Sequence, residues 1–212
     1  MKYRVVQAAA YALLALTATG CLSPRSDSPA IQTYQLGLDE QRSDVQPDSI
    51  DGPVLLVSPP LAEPGFETQR MVYVKRPFQI EYFAVNEWAD TPVRMFAPLM
   101  IHALNHSGTF HAVIPLPSSI SGDYRLDTYG FLLQQEFIQR PSQVRITARL
   151  QLVDVKESTI LGTRSFEAVE NAPSENAYGG VLAANRAVAG LLDQITSWLH
   201  QCVRHSPECG RP

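Results

Sequence analysis

The chain has 212 residues, 45% of them hydrophobic, a formal charge of −4 and no run of lysine or arginine. It therefore lacks the electrostatic footprint of nucleic-acid binding, while its apolar content suffices for a packed core. The first element is a leader: basic Met1 to Arg4, then Val5 to Ala18 without a charge, then small residues to Gly20. That order describes a secretory signal over residues 1–20, because a membrane span needs roughly 20 apolar residues. No second apolar stretch of that length follows.

Cys21 stands directly after those small residues and resembles the lipobox cysteine of bacterial lipoproteins, with Ala18 where Leu is commoner. The resemblance implies that Cys21 is acylated and becomes the new N-terminus. The alternative is an ordinary signal cut near Gly20, which leaves Cys21 as an incidental thiol. Leu22, in place of Asp, resembles the signal that sends such proteins to the outer membrane. Residues 21–30 are Ser/Pro-rich and read as a flexible tether.

Ile31 to Leu38 reads as the first strand, and Val54 to Ser58 as a strand buried on both faces and closed by Pro59-Pro60. Met71 to Val74 and Gln79 to Val85 are strands joined by a tight Lys75-Arg76-Pro77 connection. A helix is expected from Asp90-Thr91-Pro92 to about Asn105, with Asp90 as its cap. Pro98 predicts a kink or a late start. Phe96, Leu99, Met100 and Ala103 form one apolar face, and Gly108 ends the element.

Phe110 to Ile114 and Asp123 to Phe137 are further strands. Apolar residues change parity along the second, which requires a bulge near Thr128 to Gly130. In the next strand Val144, Ile146, Ala148, Leu150 and Leu152 alternate with polar residues, so one face is buried and the other wet. Ile160 to Val169 completes an antiparallel hairpin with it. A helix from about Glu175 to Cys202 carries an apolar stripe from Val181 to Leu199. The fold class is therefore α/β: one domain, a mixed sheet flanked by two main helices, preceded by a signal and a tether.

The order of segments resembles the ABC-type transport auxiliary lipoprotein family, which includes the paraquat-inducible C-like lipoproteins. The residues that carry it are Cys21, Tyr34-Gln35-Leu36, the Val-Leu-Leu-Val strand before Pro59-Pro60, Gln69-Arg70-Met71-Val72, and Glu87-Trp88-Ala89-Asp90-Thr91-Pro92. Paired strands and a closing amphipathic helix follow. The resemblance spans Gln32 to Leu199 within a domain of residues 31–201, and leaves 202–212 as a tail. It implies an anticodon-binding-like architecture and a non-catalytic, lipid-anchored role at the periplasmic face of the outer membrane. The implied partners are a periplasmic protein with mammalian-cell-entry (MCE) domains and the permease and ATPase of an ABC transporter, with a homo-oligomer as a suitable docking form. Two other readings are an assembly lipoprotein of a different export machine and a metal-binding or hydrolytic periplasmic enzyme.

The search for chemistry returns little. There is no Gly-x-Ser-x-Gly elbow and no phosphate-cradling glycine loop, so no cofactor is expected. His102 and His106 stand four apart without a third ligand nearby, so helix-surface histidines are the expected reading and no metal site is assigned. Cys202 and Cys209 read first as a short-loop disulfide; free thiols, or a metal held with His200 and His205, are the alternatives. Trp88 is either an interface anchor or corner packing, and burial favours packing; Trp198 on the last helix reads the same way. Arg145 and Arg149 on the wet strand face could meet an acidic partner, although most such charges face solvent.

Overall fold

Residues 143–154 form β7 (Gln143–Asp154), the most regular strand, because its even-numbered side chains from Val144 to Leu152 are all apolar. Val144, Ile146, Ala148, Leu150 and Leu152 are buried, and the residues between them face outward. The computed structural model describes residues 29–38, 52–204 and Cys209. In chain order its elements are β1 (Gln32–Tyr34), β2 (Val54–Val57), β3 (Arg70–Arg76), β4 (Gln79–Trp88), α1 (Pro92–Asn105), β5 (Ala112–Pro115), β6 (Tyr124–Glu136), β7, β8 (Thr159–Asn171) and α2 (Ala177–Arg204). The element order and the mixed sheet agree with the expectation from sequence.

β6 is the spine of the eight-stranded sheet. Along one edge it pairs antiparallel with β7, which in turn pairs antiparallel with β8. Along its other edge the chain from β2 to β3 runs parallel to it in three stages. Leu55 to Val57 lie opposite Tyr124 to Leu126, Ala62 bridges Phe131, and Tyr73 and Val74 lie opposite Gln135 and Glu136. β5 extends the sheet beyond β2, while β4 and then β1 extend it beyond β3. The parity change in β6 is absorbed where expected: its register against β7 shifts between Tyr129 and Leu132, with Gly130 at φ 64°.

α1 lies against β5 and β6, α2 against β7 and β8, and the two helices touch each other. Phe96, Met100 and Leu104 of α1 and Leu191, Ile195 and Leu199 of α2 are fully buried in one core with Leu126, Phe131 and Ile146. The proline at 98 does not delay α1, which begins at Pro92 and runs to Asn105.

Two expectations from sequence need correction. The first strand is three residues long rather than eight, because the Gly37 N–H donates to Asn185 Oδ1 (3.0 Å) and draws the chain off the sheet toward α2. Asp90 does not cap α1; the cap position is Thr91, and no side chain satisfies the exposed amides there. A proline in the first turn holds the residue before it in an extended conformation, seen at Thr91 (φ −59°, ψ 138°). The helix frame is thereby set one residue later. Asp90 instead accepts from the Thr91 N–H (2.7 Å) and pairs with Arg94 (3.4 Å).

α2 has the side-chain cap that α1 lacks. Asn176 Oδ1 accepts from the Gly179 N–H (2.8 Å), the third residue of the helix. Asn176→Ala should therefore lower stability by about 1 kcal/mol, read as a shift in the urea midpoint, whereas Asn176→Asp should keep most of it.

Candidate functional site

The strand-to-helix corner after β4 holds Trp88. Its N–H donates to Gln69 O (2.7 Å), and the next amide, on Ala89, donates to Tyr34 O (2.6 Å). The corner thus ties β1, the entry to β3 and the start of α1 together. The indole is 4% exposed and lines a small internal space with Met71, Phe83, Leu133 and Ala184. Trp198 is buried on α2, with its ring 5.5 Å from Phe166.

Cys202 and Cys209 are joined by a disulfide. Within residues 202–212, expected to be a C-terminal tail, Cys209 is 4% exposed and belongs to the core. Its carbonyl accepts from Trp198 Nε1 (3.4 Å), and a Cβ at Gly162 of β8 would stand 2.7 Å from that same oxygen. The close approach explains a glycine in mid-strand. Of the other ligand candidates, His200 faces Thr109 Oγ1 (3.1 Å), and His205 lies outside the described residues, as does Cys21. His102 and His106 stack on each other at 4.1 Å, with His106 Nδ1 2.8 Å from His102 O. Among the described residues no three His, Cys, Asp or Glu side chains gather as a metal site.

The outward face of β6, β7 and β8 is charged and internally paired. Arg145 grips Glu136 with two nitrogens (2.8 and 3.3 Å) and also binds Glu167. Arg149 lies over the Tyr129 ring at 5.7 Å, and Arg125 pairs with Asp127 on the same strand (2.9 Å). Arg145 is therefore already occupied by two carboxylates, and Arg149 is the more available of the pair. Sequence reasoning missed this because Glu136 and Arg145 lie on different strands, and only their register brings them together.

Burial alone would raise the Glu136 carboxyl. Hydrogen bonds from Arg145 and Gln134, with the charge of Arg145, outweigh it and hold the group below its ordinary value of 4.5. Asp123 is lowered first by the Val54 N–H (2.9 Å), which it accepts at the start of β2, and then by Lys156. A carboxylate whose folded value is depressed stabilises the fold above its ordinary value, and that stability is lost as pH falls through the folded value. Urea midpoints should therefore drop below about pH 4.5, and Glu136→Gln should flatten the drop. An unchanged acid limb in that variant would show that the Arg145 pair contributes nothing to it.

One groove is apolar. It lies between α1 and the ends of β2 and β5, has a volume of about 260 Å³, and is lined by Val57, Pro59, Pro60, Val93, Ile101 and Leu116. Among the described residues no helix is long and apolar enough to cross a membrane.

No curated protein matches the sequence. Among solved structures the fold is similar to that of a Xanthomonas campestris protein of the DUF330 family, with a TM-score of 0.72 and 16% identity over 84% of this chain and 99% of that one. It is also similar to a hypothetical protein from Chlamydia trachomatis, with a TM-score of 0.53 and 8% identity over 72% of this chain and 98% of that one. At these identities the likeness establishes the fold alone. The family model described as "ABC-type transport auxiliary lipoprotein component" matches residues 34–196, from the end of β1 to the last third of α2. The chain belongs to the ABC-type transport auxiliary lipoprotein component family.

Proposed function

We propose that the protein is a non-catalytic, lipid-anchored subunit of an envelope ABC transport system. It is held through Cys21 on the periplasmic face of the outer membrane and docks an MCE-domain protein together with the permease and ATPase. The observation that carries this reading is the family match over residues 34–196, which takes in nearly the whole folded domain rather than one motif. Support comes also from the leader: an uncharged run from Val5 to Ala18 ends in small residues before Cys21. In this reading the protein contributes position, and its partners contribute ATP hydrolysis and movement of an apolar cargo.

The test is affinity purification of the tagged, acylated protein from detergent-solubilised envelopes, beside a Cys21→Ser version, with mass spectrometry of what accompanies each. Recovery of MCE-domain and ABC-transporter subunits is the expected result, with Cys21→Ser lost from the membrane fraction. Recovery of outer-membrane export components without any ABC subunit would replace this reading with that of an assembly lipoprotein for another machine.

A further inference from the structure

We infer that the β3–β4 hairpin tip and the neighbouring β6–β7 loop form a second membrane contact, seated in the phospholipid headgroup layer of the bilayer that carries the lipid anchor. The inference rests on the anchoring role of Cys21 proposed above.

The tip is built against the needs of the fold. Phe78 has φ 66°, a region where side chains are strained and glycine or asparagine is the usual occupant. Yet this position carries a phenylalanine at 108% relative exposure, the most exposed large apolar residue described. Among the described residues, Phe78 is not covered by any part of the fold. Lys75 to Ile80 are all exposed, and Ile80, two residues past Phe78, is an apolar side chain at 42%.

The β6–β7 loop shares this end of the molecule. β3 runs parallel to β6, and the Phe137 N–H donates to Val74 O (2.8 Å). The Tyr73, Phe83 and Phe137 rings stand within 4.8 to 6.4 Å of one another and form a firm aromatic base beneath the tip. Just beyond it Ile138 is 56% exposed, followed by exposed Arg140. The exposed apolar residues Phe78, Ile80 and Ile138 are thus interleaved with Lys75, Arg76 and Arg140. Glu81, paired with Lys75 at 3.3 Å, is the acidic residue of the hairpin's first turn. Glu175 also reaches this end, accepting from the Ser142 N–H (2.8 Å), so Arg76 and Arg140 are the basic side chains at the tip suited to anionic headgroups, and an exposed phenylalanine favours the boundary depth.

The direction in which the chain enters β1 agrees. β1 is parallel to β4, with Thr33 opposite Glu87, and Glu87 is opposite Arg70 at the start of β3. The chain therefore enters β1 from the side on which the hairpin tip lies. From the level of Arg70 to the tip is about 20 Å at the rise of a strand. Fully extended, a segment of the length from Cys21 to Thr33 spans up to about 40 Å, more than that distance. An anchor on a tether alone lets the domain swivel; a second contact at the tip would fix its orientation.

The test uses the full acylated chain reconstituted in phosphatidylethanolamine and phosphatidylglycerol vesicles. Phe78→Cys, Ile138→Cys and Lys156→Cys are each labelled with an environment-sensitive NBD fluorophore and exposed to brominated phospholipids. Lys156 sits at the opposite end, beside Asp123 (3.2 Å). The expected result is a blue shift and several-fold stronger quenching at 78 and 138 than at 156. Equal, weak quenching at all three sites on protein that co-floats with vesicles would overturn the inference while leaving the anchor intact. A blue shift at 78 without quenching would overturn it in favour of a protein partner at the tip. Failure of the acylated chain to co-float would overturn the anchor reading, and the inference with it.

Discussion

Phe96→Ala should lower the stability of the fold by about 3–5 kcal/mol, at the top of the range for truncation of a buried side chain. Phe96 is completely buried on α1, its ring is 4.9 Å from that of Phe131, and Met100 lies one helical turn further along. Phe131 follows the β6 bulge, at the point where Ala62 bridges to the same strand. The ring therefore fills the space where a helix, a bulged strand and a crossing segment meet. Each of these is fixed by its own hydrogen bonds, so the void cannot close by a small shift, and the cavity term adds to the lost transfer energy. Phe96→Leu, which refills most of the volume, should lose markedly less. Denaturant unfolding measures both, and a loss below about 1 kcal/mol for the alanine variant would contradict the packing described.

Breaking the Cys202–Cys209 bridge should cost about 2–3 kcal/mol, as expected for a loop closed over a sequence separation of 7. The structure adds a spectroscopic consequence. Cys209 is held against β8 at Gly162, and its carbonyl accepts from the indole of Trp198. Reduction, or Cys209→Ser, frees that carbonyl and uncovers Trp198, so the tryptophan emission should move to the red. Gly162→Val should produce the same red shift with the bridge intact, because its side chain would occupy the place of the Cys209 carbonyl. If the emission did not move in either case, Cys209 would not be packed against β8. The Trp88→Phe background assigns the change to Trp198.

Much of the architecture was legible because local patterns and tertiary burial coincide. The alternation in β7, the parity break resolved at Gly130, and the stripe from Val181 to Leu199 each named the face that is now buried. Legibility failed where a distant residue decides the outcome. Nothing local to Gln35 to Leu38 shows that Asn185, some 150 residues on, will capture the Gly37 amide and end β1 early. The misassigned cap had a nearer cause: Asp90 has the right chemistry, but Pro92 dictates the conformation of Thr91 and so the helix frame. The spacing of Cys202 and Cys209 suggested their bridge, but not that Cys209 packs into the core, since Gly162 supplies the space from another strand. Likewise Phe78 could be read from sequence only as part of a turn; its exposure and its place beside Ile138 come from the register of β3 against β6.

The division of one edge of β6 between β2 and β3 also dictates an order of assembly. A chain delivered from its N-terminus can close the β3–β4 hairpin early and set β1 beside β4. β2, however, has no neighbour until β5 and β6 arrive, with Leu55 waiting for Tyr124. The edge of β3 turned toward β6 waits longer still, for Gln135. Pairings this distant in sequence make folding slow compared with a helical domain of similar size. Until β5 has emerged, the apolar Val54 to Val57 segment stands with both edges open, and until β6 follows one edge remains open, the condition under which strands aggregate. Joining the β1–β4–β3 and β2–β5 pieces into one sheet requires β6, which carries the edge that both share.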